Sequence, residues 1–139
     1  MTEIVAEFVK IDHLGIATHE LTDAIGFWCE ALGLPVDSQE DLPDQGVRVA
    51  MLAIGDAHIE LLEPLSSTSP VGKFLQKRGP GIHHIAVRVE DIRGALEQLK
   101  QSGAKLIDEE PRLGARGCLV AFVHPGSVNG VLLELVQDQ

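Results

Sequence analysis

The sequence predicts an α+β fold made of two βαβββ modules, because the chain contains an internal repeat. The segment IDHLGIA aligns with IHHIAVR, so that His13 lies over His84. Each copy continues into apolar residues at helical spacing and closes on a strand that contains one glutamate, Glu60 in the first copy and Glu134 in the second. Each half therefore predicts a strand, a helix and three further strands.

The first module is predicted over residues 9–63. Apolar residues at positions 21, 24, 25 and 28 have helical spacing, and the helix is expected to end at Gly33, a residue that suits a left-handed C-terminal cap. Short runs of turn residues separate the strands that follow. The predicted strands of this module are 9–17, 36–42, 46–54 and 57–63.

The second module, residues 82–137, repeats this order. Its helical positions are 92, 95, 96 and 99, and its helix is expected to end at Gly103. The predicted strands are 82–89, 104–109, 117–124 and 130–137. A linker, 64–81, joins the modules and contains a short predicted helix in PVGKFLQKRG. Residues 1–139 are therefore interpreted as a single domain.

The repeat also pairs possible metal ligands, because it places His13 with His84 and Glu60 with Glu134. Each glutamate shares its strand face with apolar residues, where a charge is costly unless it is paired or binds a metal. Two histidines and two carboxylates suit Co, Mn, Ni, Fe or Zn. The alternative is that the repeat reflects only the origin of the fold by duplication and that both glutamates point to solvent. The coincidence of position and ligand type favours a metal site.

Small residues follow each histidine on the same strand face, Gly15 after His13 and Ala86 after His84. They would leave room in a concave interior. Among the other histidines, His83 is interpreted as a rim residue. His58 is expected on the same strand face as Glu60 and could therefore enter the pocket, but its counterpart in the second copy is a leucine.

Composition narrows the classes of partner. The net charge of −10 and the pI of about 4.9 argue against binding to nucleic acid or to an anionic membrane. Neither Cys29 nor Cys118 belongs to a CxxC pair, which favours a reducing compartment. The N-terminal segment carries Glu3 and Glu7, which suits no targeting peptide. A cytoplasmic location is therefore expected.

Several strings, in order along nearly the whole chain, resemble those of a known family: IDHLGIA, DQGVRVAML, IELLEP, SPVGKFLQKRGPGIHHIAV, DEEPRLGARG, FVHP and GVLLEL. They resemble the vicinal-oxygen-chelate superfamily and, within it, the methylmalonyl-CoA epimerases. This resemblance implies a curved eight-stranded mixed sheet around a metal site. It also implies an isomerase that interconverts (2R)- and (2S)-methylmalonyl-CoA by removing the C2 proton through a metal-stabilised enolate.

The same resemblance implies that His13, His84 and Glu134 bind a divalent metal, with Glu60 as the fourth ligand. Cobalt is the preferred ion, and Mn, Ni or Zn are possible. Glu134 and Glu60 would be the two acid–base groups, because Val49 stands where some relatives carry a second glutamate. A homodimer and an acyl-CoA substrate are also implied. Candidates for binding the CoA phosphates are the basic residues Lys73, Lys77, Arg78, Arg112 and Arg116.

Three alternatives remain open from the sequence. A glyoxalase I-type lactoylglutathione lyase would use the same metal ligands on a glutathione hemithioacetal. An Fe(II) enzyme would consume oxygen. A metal-free drug-binding resistance protein of the same fold would use none of this chemistry, although such proteins usually lack the full ligand set.

Overall fold

The computed structural model describes residues 7–139, so Glu3, on which the predicted location partly depends, lies outside the described residues. The described chain divides into two compact units, residues 13–83 and residues 7–12 together with 84–139. No helix in this part of the chain is long and apolar enough to cross a membrane.

The helices and strands follow the predicted order closely. All eight strands belong to one mixed sheet, which confirms the predicted α+β fold of two βαβββ modules. In chain order the elements are β1 (Phe8–Ala17), α1 (Leu21–Ile25), a π-helical segment (Gly26–Ala31), β2 (Val36–Leu42), β3 (Val47–Ile54), β4 (Ala57–Pro64), α2 (Pro70–Arg78), β5 (Gly81–Val89), α3 (Ile92–Gln101), β6 (Arg112–Leu113), β7 (Leu119–Val123) and β8 (Leu133–Gln137). Single 3-10 turns lie at Pro43–Gln45, Ala115–Gly117 and Pro125–Ser127.

The unit of residues 13–83 contains strands in the order β2-β3-β4-β1. Strands β2, β3 and β4 pair antiparallel, whereas β4 and β1 pair parallel. Helix α1 covers one face of these strands, where Leu21 packs with Leu52 and Leu61 in a buried cluster. The carboxylate of Glu63 accepts a hydrogen bond from the backbone N–H of Leu21 at 2.7 Å, which fixes the start of the helix. The opposite face of the strands is left for the candidate site.

The unit of residues 7–12 and 84–139 repeats the arrangement, with strands in the order β5-β8-β7-β6. Strands β5 and β8 pair parallel, and the others pair antiparallel. Asp91 caps the N-terminus of helix α3, because its side chain accepts a hydrogen bond from the backbone N–H of Gly94 at 3.0 Å. Its buried face, including Ile92 and Leu96, packs against Leu135. Each unit therefore places its first helix on one face and keeps the other face for the histidine and glutamate.

The first predicted helix differs from expectation in its second half. After Ile25 the backbone widens into the π-helical segment, in which the N–H of Leu32 donates to the carbonyl of Phe27 at 3.2 Å. Gly33 then adopts φ +77° and ends the helix, as predicted. The apolar stripe is retained through Trp28, which still packs on the α1 core.

The strand predicted at 104–109 is wrong. Leu106 makes a single isolated bridge to β7, and the paired edge strand is the shorter β6 further along the chain. The backbone N–H groups of Ile107 and Asp108 both donate to the carbonyl of Phe122, at 3.0 and 3.2 Å. The Asp108 carboxylate in turn accepts from the N–H of Phe122 at 2.9 Å. The Asp108 side chain thus accepts the hydrogen bond that the backbone of a paired strand would accept from β7, and no regular strand pairing forms here.

Candidate metal centre

The unit of residues 13–83 holds one buried histidine–glutamate pair. Nε2 of His13 on β1 lies 3.3 Å from Oε1 of Glu60 on β4, and the side chains are 3% and 7% exposed. The parallel register of β1 and β4 sets Gly15 directly opposite Glu60. A residue without a side chain therefore lies beside the carboxylate, which agrees with the expectation that Gly15 leaves room on this face.

The other unit builds an equivalent pair. Nε2 of His84 on β5 lies 3.0 Å from Oε1 of Glu134 on β8, with side chains 3% and 6% exposed. The small residue Ala86 is opposite Glu134 in the parallel register. Phe122 on β7, also opposite Glu134, presents its ring edge-to-face to the His84 ring with centroids 5.6 Å apart. This aromatic contact fixes the orientation of the imidazole.

The chemistry of the two pairs fits a divalent metal. All four residues are buried, and each unit offers one imidazole nitrogen and one carboxylate oxygen. Burial of ionisable groups is costly unless they are paired or bind a metal. Imidazole and carboxylate together suit Co, Mn, Ni, Fe and Zn. The donor set predicted from the repeat is therefore present, at matched positions and with matched burial.

Three other histidines have different partners. His58 lies on the same face as Glu60 and its Nε2 is 2.8 Å from Oδ2 of Asp37. His83 packs edge-to-face on Phe74, with ring centroids 4.9 Å apart. Nδ1 of His124 accepts a hydrogen bond from a backbone N–H two residues further on, which stabilises the turn after β7. Among the described residues none of these three belongs to the group of possible metal ligands.

The residue before the first histidine is the centre of a buried ion-pair network. Asp12 is 1% exposed. Its Oδ1 accepts from Nη2 of Arg88 at 2.5 Å and from Nε at 3.0 Å, and its Oδ2 accepts from Nη2 of Arg116 at 2.8 Å. Arg88 also contacts Asp138. Burial opposes the charge of Arg88, but the hydrogen bond and charge of Asp12 outweigh it and raise the pKa of Arg88 above its ordinary value.

This network anchors a strained loop. Arg116 adopts φ +60°, an uncommon conformation for a residue with a side chain. The neighbouring Cys118 thiol is buried, and burial raises its pKa although Arg116 opposes the shift. This network was not predicted from the sequence. The available signal was that Asp12 shares its strand face with the apolar Leu14 and Ile16.

Comparison with known proteins defines the class. Residues 12–122 match the model of the glyoxalase/bleomycin resistance protein/dioxygenase superfamily. The chain belongs to this superfamily. Within it, the chain is similar to methylmalonyl-CoA epimerases over nearly its whole length, which confirms the resemblance inferred from the sequence strings.

Three relatives illustrate the similarity. The ethylmalonyl-CoA/methylmalonyl-CoA epimerase of Cereibacter sphaeroides is 42% identical over 130 residues, covering 92% of this chain and 97% of that protein. The mitochondrial methylmalonyl-CoA epimerase of Homo sapiens is 39% identical, covering 92% and 73%. A solved methylmalonyl-CoA epimerase in complex with methylmalonyl-CoA and NH4+ is 38% identical and superimposes with a TM-score of 0.93, covering 95% and 96%.

Proposed function

We propose that the protein is a divalent-metal-dependent epimerase that interconverts (2R)- and (2S)-methylmalonyl-CoA. The observation that carries the proposal is the pair of equivalent buried histidine–glutamate sites, in a chain similar over nine-tenths of its length to epimerases of this substrate. The imidazole and carboxylate donors of these sites suit a divalent ion that also binds oxygen ligands and keeps coordination positions open for substrate.

In this proposal His13, Glu60, His84 and Glu134 hold one divalent ion. The bound ion would stabilise the negative charge that develops on the thioester oxygen when the C2 proton leaves. The repeat supports a shared centre, because the two pairs occupy corresponding positions in the two modules. Gly15 and Ala86 leave space beside the two glutamates.

The proton transfers are assigned to the chain's own carboxylates. Glu134 removes the proton from C2, and the electrons of the C–H bond move onto the thioester carbonyl. Return of a proton from the opposite face then gives the other epimer. The family resemblance implies this second role for Glu60, which would then bind metal and move a proton with the same carboxylate.

The test is proton exchange at C2. We expect that the protein loaded with Co(II) will introduce deuterium into methylmalonyl-CoA in heavy water and interconvert the epimers, as followed by NMR and chiral chromatography. Glu134→Gln should reduce conversion by at least about 100-fold, because it removes an acid–base group. Glu97→Gln, on the exposed side of α3, is the matched control.

A glutathione hemithioacetal is measured in parallel. The absence of exchange with Co, Mn, Ni and Zn would contradict the epimerase proposal, and turnover of the hemithioacetal in its place would indicate a lactoylglutathione lyase.

We further propose a homodimer in the cytoplasm with cobalt as the preferred ion. Phe8, Val9 and Ile11 on β1 are 47%, 51% and 53% exposed, an apolar surface that favours self-association. Both cysteines, Cys29 and Cys118, are free thiols, which suits a reducing compartment. Light scattering after gel filtration will give the subunit number, and a concentration-independent monomer would contradict the dimer.

A further inference from the structure

Epimerisation requires an acid–base group on each face of a planar intermediate. In the proposed centre Glu60 would have to hold the ion and exchange a proton with the same carboxylate, and these two tasks compete. A carboxylate outside the ligand set could take the second proton transfer without that competition. The inference below rests on the proposed function and concerns which residue supplies that group.

Strand β2 carries a candidate on the correct face. Its burial alternates, with Ser38, Glu40 and Leu42 half-buried and the residues between them exposed. The antiparallel register places Glu40 opposite Val49 on β3, and Val49 opposite Leu62 on β4. Residues that are paired across strands share a face, and residues two apart along a strand do so as well. Glu40 therefore lies on the same face as Glu60.

The neighbouring residue confirms the orientation of the strand. Asp41 pairs with Arg48 in the register, and its Oδ1 accepts from Nε of Arg48 at 2.8 Å. Arg48 also reaches Glu63, which contacts the start of α1. Asp41 is thus directed to the helix-covered face, and Glu40, one residue earlier, to the other.

Strand geometry gives Glu40 a suitable separation from the proposed ligands. Glu40 lies two strands from β4 and two residues along from Glu60, which corresponds to roughly 12 Å between their Cα atoms. This separation along the shared face leaves room for a planar intermediate between the two positions. Val49 provides no carboxylate on the intervening strand.

We propose that Glu40 is the second acid–base residue, which exchanges a proton with C2 on the face opposite Glu134. In one direction Glu134 takes the C2 proton, the C–H electron pair moves onto the thioester oxygen, and the Glu40 carboxylic acid donates its proton to C2. In the reverse direction the Glu40 carboxylate accepts the proton and Glu134 donates one. Exchange with water restores both protonation states, so no further reactant is needed.

The test uses each epimer separately with the Co(II)-loaded full chain in heavy water. Wild-type protein should exchange and convert both epimers. Glu40→Gln should exchange only the epimer whose C2 proton faces Glu134, with retention of configuration, and should leave the other epimer unexchanged. Conversion should fall by at least about 100-fold. A merely structural defect would reduce exchange of both epimers equally, so this asymmetry identifies a role in proton transfer.

Asp41→Asn is the matched control, because it removes the neighbouring carboxylate on the other face and should convert both epimers at the wild-type rate. Metal content and thermal unfolding of Glu40→Gln are measured alongside, and Glu40→Asp should recover part of the conversion. Equal loss for both epimers, or unchanged conversion, in Glu40→Gln beside an active wild type would overturn this inference alone. A wild type that exchanges neither epimer would overturn the proposed function, and this inference with it.

Discussion

Replacement of Asp12 by asparagine should destabilise the protein strongly, because Asp12 is the buried carboxylate between two arginines. It is 1% exposed, whereas the side chains of Arg88 and Arg116 are 19% and 21% exposed. Asparagine keeps the shape and one acceptor oxygen but removes the charge. Its amide group would also point N–H donors at one of the guanidinium groups, which has only donors.

The magnitude follows from burial. Removal of one partner of a buried ion pair costs roughly 3–5 kcal/mol. Both guanidinium groups retain some contact with water, so we expect the lower end, about 3 kcal/mol, for Asp12→Asn. For a chain of this length that corresponds to a fall in Tm of about 12 °C. Chemical denaturation followed by circular dichroism measures the free energy of unfolding directly.

The chain offers a control with the same substitution. Asp41 pairs with Arg48, but both side chains are 47% exposed, so Asp41→Asn should change the free energy of unfolding far less than Asp12→Asn does. Equal effects of the two substitutions, or a loss below about 1 kcal/mol for Asp12→Asn, would show that burial does not make the Asp12 network important.

Three further predictions concern single positions. Gly46→Ala should cost about 3 kcal/mol in unfolding experiments, because φ is +68° and an added Cβ would lie 2.7 Å from Cβ of Ser69; a loss below about 1 kcal/mol would contradict this. The raised pKa of Cys118 means that its thiolate forms only at higher pH than usual, so it should react with a thiol reagent more slowly than Cys29 at pH 8, with a difference that narrows as pH rises; equal rates would contradict this. Asp91→Ala should lower stability by about 1 kcal/mol through loss of the α3 cap, and an unchanged Tm would contradict it.

The sequence predicted the parts of the molecule that the repeat determines. The histidine of each first strand and the glutamate of each last strand could be found because both copies place them at equivalent positions. Strand parity placed the small residues Gly15 and Ala86 on the same face as the two histidines, and the register of the structure adds that each lies opposite a glutamate. The helix ends at Gly33 and Gly103 were predictable because glycine favours the left-handed conformation that follows a helix. Both glycines adopt positive φ in the structure.

What the sequence did not predict depends on contacts between distant residues. Asp12 meets Arg88 and Arg116 across 76 and 104 positions of the chain, and no local pattern specifies those partners. The strand predicted at 104–109 does not form, because the Asp108 carboxylate takes the hydrogen bond of the Phe122 N–H that a paired strand would accept. The face of Glu40 depends on a register shift early in β2, between Val36 and Ser38, which periodicity alone does not reveal.

If the two histidine–glutamate pairs form one metal centre, as proposed, the metal stoichiometry of the chain will show it. Equilibrium dialysis with Co(II), followed by atomic absorption, should give one ion per wild-type chain. His13→Ala and His84→Ala should each abolish that binding, because each removes a ligand from the same ion, while thermal unfolding shows that both variants fold. Two ions per wild-type chain, or one ion retained in either variant, would show instead that the two pairs bind metal separately.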